Sequence, residues 1–338
     1  MPRRDIIVVG ASAGGVEALS SLVAGFPPSL KAAVLVVLHL PPTATSHLPV
    51  ILNRAGPLPA LSAVDGQAIV YGRIYVAPPD YHLLLRPGHI RLTRGPRENG
   101  HRPAVDSLFR SAARVYDSRA VGVVLSGTLD DGAVGLLALK MRGGVAVVQR
   151  PDDALFSGMP ASALEAVEAD HVLPVSEIGP LLAELSRDEA GEKGARTMQG
   201  ETGGERVEMR GVLEESNGPP SAFTCPECHG TLFEAPEGEP SHYRCRVGHT
   251  YSPNSLLQAE SEALEAALWA ALRALQERTD LAKRMAVRAE ERGHLQLAAR
   301  LADQVRDGEQ SFDLLQQTLL NGSYLSSGLN GPEDALPG

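Results

Sequence analysis

The first 185 residues contain six runs rich in apolar residues, and segments with helical character separate most of them. The runs are IIVVG, AAVLVVLHL, IVYGRIYVAP, HLLLRPGHIRL, AVGVVLSG and GVAVVQ. A strand that is buried on both faces of a parallel sheet is apolar along its whole length. The runs therefore predict an α/β fold with about six or seven strands. Proline and glycine punctuate residues 71–95, which predicts a pair of hairpin strands inserted between two βα units.

Length and charge narrow the class of protein. A chain of 338 residues predicts roughly two domains. The start, MPRRDIIVVG, does not resemble a signal peptide, and the sequence has no run of about 18 apolar residues. We therefore expect a cytoplasmic protein without membrane insertion. Residues 1–188 balance their basic and acidic side chains, so the net charge of −10 lies in the remainder. An acidic second half disfavours nucleic acid as a partner.

We predict five consecutive segments. They are an α/β domain at 1–186, a flexible linker at 187–221, a metal-binding module at 222–251, a helical hairpin at 252–322 and a disordered tail at 323–338. The linker region is charged, rich in glycine and without periodicity, which is typical of flexible chain.

The hairpin region begins with Ser252, a predicted N-cap, and with Pro253 in the first turn. Apolar residues then recur at helical spacing until Gly293 interrupts the pattern. They are Leu257, Leu264, Leu268, Ala271, Leu275 and Met285. We favour packing of the two helices on each other as the reason for this stripe, over a partner-binding surface.

All three cysteines lie within 21 positions, which indicates a metal site rather than disulfides in a cytoplasmic protein. The pattern is Cys225-x2-Cys228, sixteen residues, then Cys245-x3-His249. This spacing is typical of a structural zinc ribbon with a closed tetrahedral site. His229 and His242 are alternatives to His249, but their spacing fits less well. A module of about 30 residues buries too little to fold unaided, so zinc is expected to supply much of its stability.

Residues 5–18 read DIIVVGASAGGVEA, an apolar strand followed by a glycine-rich turn and a helix. Gly10 to Gly14 fit G-x-S-x-G, in which a serine occupies a sharp strand-to-helix turn. Its Oγ is then close to helix N-terminal N–H groups that can stabilise an oxyanion. The pattern predicts Ser12 as the nucleophile of a serine hydrolase.

The same turn also fits two roles without a nucleophile. It can simply pack a helix on a strand, or it can bind the phosphates of a nucleotide. The dinucleotide alternative is disfavoured because none of the seven tyrosines has a lysine four positions later, as short-chain dehydrogenases require. In addition, G-x-x-x-G-G differs from the G-x-G-x-x-G spacing.

Two further strands are expected to end at the same sheet edge as Ser12. His39 follows the strand AAVLVVL, and the carboxyl ends of strands in a βαβ unit are adjacent, so His39 can act as the base. Asp130 and Asp131 follow the strand AVGVV and its short loop. A carboxylate there can orient the imidazole, and the other can cap the next helix. These residues alone leave open which aspartate has which role.

Together these segments closely resemble the catalytic domain of chemotaxis-type protein-glutamate methylesterases, the CheB family. The resemblance covers residues 5 to about 182. The matching segments are VVGASAGGVEAL, VVLHLPP, GRIYVAPPDYHLLL, GHRPAVDSLFRSAA, AVGVVLSGTLDDGAVGLLALK and QRPDDALFSGMPASAL. The resemblance implies a Rossmann-like, doubly wound sheet and a triad of Ser12 (nucleophile), His39 (base) and Asp131 (acid). Asp130 is then a helix cap or bystander, and catalysis needs no cofactor.

The resemblance also implies a substrate. The family hydrolyses γ-glutamyl methyl esters on receptor helices and can deamidate certain glutamines, so methylated receptor or signalling-protein helices are the expected partners. Backbone N–H groups near Ala13 and Thr128 are the implied oxyanion donors, although many relatives have threonine and methionine at these positions. Arg102 matches a family motif and is a candidate for steering an acidic receptor segment, while Pro103 beside it fits a helix start. The run 157–160 either lines the site or, as we favour, begins a helix.

Typical members carry an N-terminal receiver domain whose phosphorylation controls the esterase, whereas this sequence starts at the catalytic strand. We therefore expect a stand-alone form, with the zinc module and hairpin as the place where a regulatory partner docks. Two function classes follow: an active methylesterase, and a catalytically silent scaffold or sensor. Retention of all three triad residues favours the esterase, since a scaffold does not need them.

Overall fold

The structure is a computed structural model that describes residues 4–187, 218–234 and 242–321. The predicted tail and nearly all of the predicted linker lie outside these residues. The chain divides into two compact units, Met1–Leu256 and Leu257–Gly338. Within the described residues, no helix is both long and apolar enough to cross a membrane.

Nine strands and six helices make up the α/β part of the first unit. The strands are β1 (Ile6–Ala11), β2 (Ala33–Leu38), β3 (Ala60–Ser62), β4 (Ile74–Val76), β5 (His82–Arg86), β6 (His89–Thr93), β7 (Ala120–Val124), β8 (Val145–Gln149) and β9 (His171–Leu173). The helices are α1 (Gly15–Ala24), α2 (Leu48–Ala55), α3 (Val105–Tyr116), α4 (Ala133–Met141), α5 (Gly158–Ala166) and α6 (Val175–Leu185), with a 3-10 turn at Asp117–Arg119.

Seven of these strands form one parallel sheet in the order β3-β4-β2-β1-β7-β8-β9. Every residue of β1, β2, β7 and β8 is buried, which is why these strands carry no polar side chain except Gln149 at the end of β8. Side chains from α1, α2 and α6 pack on one face, and those from α3, α4 and α5 pack on the other. The predicted doubly wound α/β sheet is confirmed.

The prediction for residues 71–95 is only partly correct. β5 and β6 do form an antiparallel hairpin. The preceding β4, however, pairs with β2 and β3 in the parallel sheet, because its three residues are fully buried and continue the apolar core. The sequence pattern also missed β3 and β9, each of which has only three residues.

Four short strands build the module that contains the cysteines. They are β10 (Pro220–Thr224), β11 (Thr231–Glu234), β12 (Tyr243–Cys245) and β13 (Thr250–Tyr251), and neighbouring strands are antiparallel. Its small core includes Cys225, Leu232, Cys245 and Tyr251, each at most 2% exposed.

Two long helices end the described chain, α7 (Pro253–Glu291) and α8 (Leu295–Asn321). The predicted N-cap is confirmed, because Ser252 Oγ accepts the N–H of Ser255 at 3.0 Å. Gly293, with φ 76°, forms the turn between the helices. They contact each other where Gly308 lies against Thr279, so close that a Cβ at 308 would be 2.3 Å from the Thr279 hydroxyl.

The predicted apolar stripe on α7 is partly wrong, because several of its residues do not lie on the buried face of the helix. Leu257, Leu264 and Met285 are 55%, 48% and 45% exposed. The buried positions of this helix in the second unit are Leu272, Thr279, Ala282 and Ala289. Steps of three and four residues define two neighbouring faces on this alanine-rich helix, and the face that packs carries one leucine and three smaller residues.

Candidate active site

Ser12 follows β1 directly and begins the turn into α1. Its N–H donates to the carbonyl of Ser126 at 3.0 Å, and its own carbonyl accepts the N–H of Gly15 at 2.9 Å. Gly14 has φ 68°, and a Cβ there would lie 2.7 Å from Ser126 Oγ. The turn therefore requires glycine, and it leaves the serine partly exposed at the carboxyl edge of the sheet.

His39 lies on the neighbouring strand, one residue beyond β2. The register pairs Ala11 with Leu38, and the N–H of His39 donates to the carbonyl of Ala11 at 3.2 Å. Ser12 and His39 thus occupy equivalent positions on adjacent parallel strands. The imidazole is nearly buried, with 6% of its side chain exposed.

Asp131 is the aspartate that meets the imidazole, with 2.7 Å between its Oδ2 and His39 Nε2. An ionised carboxylate only accepts hydrogen bonds, so Nε2 carries the proton and Nδ1 keeps its lone pair. Nδ1 is buried, and no group in the described part of the chain hydrogen-bonds to it. The arrangement leaves one imidazole nitrogen able to accept a proton.

Four N–H groups surround the Asp131 carboxylate. Oδ2 accepts from His39 Nε2 and from the Val105 backbone, both at 2.7 Å. Oδ1 accepts from the Asp106 backbone and from Asn99 Nδ2, both at 3.0 Å. The two backbone donors are the first residues of α3, where a helix favours negative charge. Burial opposes ionisation, but the hydrogen bond and charge of His39 outweigh it and lower the pKa of Asp131 well below its usual range.

Asp106, which the sequence analysis missed, provides the side-chain cap that had been considered for Asp130. Asp106 Oδ1 accepts the N–H groups of Gly132 at 3.0 Å and Gly135 at 2.6 Å, at the start of α4. Burial and the negative charge of Asp131 raise the pKa of Asp106. Asp130 instead accepts a hydrogen bond from Ser252 Oγ at 2.8 Å, so its interpretation as the cap is wrong.

His101 stacks on His39, with 3.7 Å between the ring centroids and 17° between the planes. Burial, followed by the charge of His39, lowers the pKa of His101 to about 4. His101 is therefore neutral at pH 7 and supports the His39 imidazole without placing a positive charge beside it. Its motif was visible in the sequence, but its contact with His39 was not.

The three predicted substrate-binding residues lie around this centre in different environments. Ala13 is partly exposed in the nucleophile turn, and Thr128 is exposed in the loop after β7. The Arg102 guanidinium donates to Asp80 Oδ1 through Nε at 3.0 Å and Nη2 at 2.5 Å, and through Nη1 to the carbonyl of Gly95 at 2.7 Å. Its charge is therefore largely compensated within the chain.

Residues 7–182 match the CheB methylesterase family. The chain belongs to this family. Among the curated relatives of this chain, the protein-glutamate methylesterase/protein-glutamine glutaminase of Pyrococcus abyssi is 37% identical over 182 residues, covering 53% of this chain and 50% of the relative. A putative enzyme with the same description from Leptospira interrogans is 36% identical over 185 residues, 54% of this chain and 96% of the relative.

The crystal structure of the Thermotoga maritima CheB methylesterase catalytic domain is similar, with a TM-score of 0.52 and 34% identity. The similarity covers 54% of this chain and 98% of that domain. The chain spans about half the length of the first curated CheB relatives. The family match ends before the cysteine module and the two long helices.

The second cluster of chemically active side chains lies in the cysteine module. It comprises Cys225, Cys228, Cys245 and His249, whose ligand atoms all lie within 4.8 Å of one another. Spacings of 3.6 Å between Cys228 and Cys245 Sγ, and of 3.5 Å between Cys245 Sγ and His249 Nδ1, suit four ligands about 2.0–2.3 Å from one zinc ion. The alternatives His229 and His242 do not belong to this cluster in the described chain.

Glu227 is a further residue of this cluster that the sequence analysis missed. Its Oε2 lies 3.3 Å from His249 Nε2, and its Oε1 accepts a hydrogen bond from the Tyr251 hydroxyl at 3.3 Å. A carboxylate on the second nitrogen of a ligating histidine fixes the ring orientation and raises its basicity. The donor set and its support therefore fit a zinc ion.

Proposed function

We propose that the chain is a protein-glutamate methylesterase in which Ser12 is the nucleophile, His39 the base and Asp131 the acid. One observation carries the proposal: Asp131 fixes His39 through Nε2, while Nδ1 keeps a free lone pair on the strand next to Ser12. A serine becomes nucleophilic only when such a base takes its proton. Membership of the CheB family supports the same chemistry.

In the proposed reaction, Ser12 Oγ attacks the γ-carbonyl carbon of the ester as its proton moves to His39 Nδ1. The tetrahedral intermediate collapses, the C–OCH3 bond breaks, and the proton on Nδ1 passes to the leaving oxygen to give methanol. Water then attacks the acyl-enzyme with Nδ1 as base, which frees Ser12 and a glutamate carboxylate. Backbone N–H groups of Ala13 and Thr128 stabilise the oxyanion. A glutamine substrate would release ammonia instead.

Exposed apolar residues near the nucleophile turn support a helical protein substrate. Leu155 and Phe156 are 70% and 43% exposed, and the Leu155 side chain lies within 2.9 Å of where a Cβ of Gly14 would be. Amphipathic helices bind through apolar side chains on one face, so these two residues can receive a receptor helix beside its esterified glutamate. In this proposal Arg102 contributes by holding the neighbouring hairpin through Asp80.

We further propose that the Cys3His cluster binds a structural zinc ion. Four protein ligands leave no open position, so the ion takes no part in ester hydrolysis. Burial raises the pKa of the Cys225 thiol to about 11, and a bound cation would be needed to keep such a buried thiolate. We also propose that a regulatory partner binds the C-terminal extension.

The decisive experiment measures methanol release from methylated receptor membranes and labelling of the chain by a serine-directed fluorophosphonate. We expect both from wild type and neither from Ser12→Ala. Ser157→Ala is the matched control, because this exposed serine makes no side-chain cap to α5. Wild-type chain that releases no methanol and is not labelled would instead favour the silent scaffold.

A further inference from the structure

Asn99 lies between the proposed triad and the C-terminal extension. It is 8% exposed, and its Nδ2 donates to Asp131 Oδ1 and to Asp106 Oδ2, both at 3.0 Å. Its Oδ1 accepts the N–H of Ser252 at 2.9 Å and the hydroxyl of Ser255 at 3.0 Å. The amide thus uses both of its N–H groups and both of its lone pairs, which is its full capacity.

These partners fix which way the amide points. A backbone N–H can only donate, so the Asn99 oxygen must face Ser252, and its NH2 group must face the Asp131 carboxylate. Without Ser252 and Ser255, the oxygen would lose both donors, and only the hydrogen bonds from Nδ2 to the two carboxylates would still hold the amide in place. The start of α7 therefore stabilises the orientation in which Asn99 is one of the four donors to Asp131.

The module binds the same loop through its backbone. The N–H of Asn99 donates to the carbonyl of Thr250 at 2.7 Å, and the N–H of Thr250 donates to the carbonyl of Arg97 at 3.3 Å. Gly248 approaches Pro96 so closely that a Cβ would lie 3.0 Å from its Cγ. Asn99 itself has φ 51°, a conformation that asparagine tolerates better than most residues. The loop conformation thus depends on the strand beside it.

The proposed zinc site directly adjoins these contacts. Gly248 lies between the ligands Cys245 and His249, and Thr250, which makes the hydrogen bonds to the loop, follows His249. A hydrogen bond from the N–H of Cys245 to the carbonyl of His249, at 3.0 Å, closes the segment between these two ligands. β13 has only two residues, too few to stay in place by strand pairing alone. Loss of the metal would release the segment that orients Asn99.

We infer that Asn99 is a positioning residue for Asp131, and that the metal-loaded module holds it in its working orientation. Metal occupancy of the Cys/His cluster then sets the rate of the esterase through Thr250, Ser252 and Ser255. The C-terminal extension is an internal activator of the catalytic domain. This inference rests on the proposed function.

The test uses the full chain, loaded with Zn²⁺ or stripped by a chelator, and measures methanol release and fluorophosphonate labelling of Ser12. Loss of one charge-assisted hydrogen bond to Asp131 should lower kcat about 10- to 100-fold. We expect that loss in wild type on zinc removal, with KM little changed and with recovery when Zn²⁺ is added. Asn99→Ala should show the same loss with zinc bound and little further loss without it, since both act on one contact.

Three additional measurements separate this coupling from a general loss of folding. Ser255→Ala removes one donor to Asn99 Oδ1 and should cost about 2- to 10-fold. His229→Asn, outside the ligand cluster and suited to φ 58°, should respond to zinc as wild type does. Hydrogen exchange at the backbone N–H groups of Asn99 and Ser252 should accelerate on zinc removal, while exchange in β1 should not.

Two results would overturn the inference while leaving the proposed function intact. Wild-type rates that do not change with zinc, or that rise on its removal, would mean that the extension is neutral or inhibitory. If zinc removal lowers kcat by the same factor in Asn99→Ala as in wild type, the module does not act through Asn99. Wild type that never labels at Ser12 would refute the proposed function as well, so the two failures are distinguishable.

Discussion

Replacement of Asp131 by asparagine gives the sharpest test of the proposed triad, because each hydrogen bond that the described residues make to this carboxylate comes from an N–H donor. Asparagine offers one accepting oxygen and one donating NH2 group. Whichever way it is turned, the NH2 group opposes two donors: His39 Nε2 with the Val105 N–H, or the Asp106 N–H with Asn99 Nδ2. Two buried N–H groups lose their acceptor in either orientation.

The expected magnitudes follow from these contacts. A buried donor left without an acceptor costs about 1–3 kcal/mol, so Asp131→Asn should lower the free energy of unfolding by about 2–6 kcal/mol. If the NH2 group faces His39, Nε2 can accept from it only when the imidazole carries its proton on Nδ1. That Nδ1–H is then buried without an acceptor, as is the Val105 N–H, and the ring cannot take the proton of Ser12. A loss of this kind in a serine triad reduces kcat about 10⁴-fold.

The assay combines urea denaturation with methanol release on the same preparations. Asp130→Asn is the matched control, because Asp130 accepts a hydrogen bond from Ser252 Oγ that an amide oxygen can also accept, and it should stay within about threefold of wild type. A folded Asp131→Asn protein that keeps a rate within about tenfold of wild type would refute the assignment of Asp131 as the acid.

Three further predictions concern other parts of the structure. The pKa of His101 is lowered to about 4, so between pH 4 and about 6.5 the unfolded chain binds a proton that the folded chain does not. Lowering the pH through this window should therefore reduce the free energy of unfolding of wild type by up to about 3 kcal/mol more than that of His101→Phe, as measured by urea denaturation. Glu227→Gln removes the carboxylate from His249 Nε2 and should weaken zinc affinity about 10- to 100-fold in competition with a chromophoric chelator. Gly10→Ala would place a Cβ 2.2 Å from Val105 Cγ1, which should cost about 1–3 kcal/mol of stability in denaturation and lower kcat, since Val105 donates to the acid.

Each of these has its own control or contrary outcome. His89→Phe and Glu234→Gln replace exposed residues of the same types and should leave pH dependence and zinc affinity at their wild-type values. Matching pH profiles for wild type and His101→Phe would show that His101 does not stay neutral in the folded chain. Wild-type stability in Gly10→Ala would show that α3 can move away from β1 without cost.

The sheet could be predicted from the sequence because burial on both faces leaves a local trace, a continuous apolar run. The same is true of Ser12 and His39, which follow two such runs directly, so the parallel topology alone places them at one edge. β3 and β9 have no such trace, because three residues are too few to show any periodicity.

The support of the site could not be predicted in this way. Asp106 reaches Gly135 across 29 positions, and Asn99 reaches Ser252 across 153. A buried asparagine or aspartate looks like any surface residue in the sequence, since its role comes only from the partners that the fold brings to it. Resemblance to a family singled out Asp131, but the contacts of Asn99 include residues beyond the family match, which ends at residue 182.

The anchoring of His39 has a consequence for the order of events in the proposed reaction. Because Nε2 is bound to Asp131 and the ring is stacked on His101, the imidazole cannot flip between the acylation and deacylation steps. Nδ1 must exchange a proton with serine, methanol and water in succession. The departing alcohol and the attacking water therefore occupy the same position beside Nδ1. A small alcohol that enters before water will be joined to the glutamate instead. In buffer containing ethanol, the enzyme should therefore exchange methyl for ethyl esters, with the abundance of water as the reason that hydrolysis normally prevails.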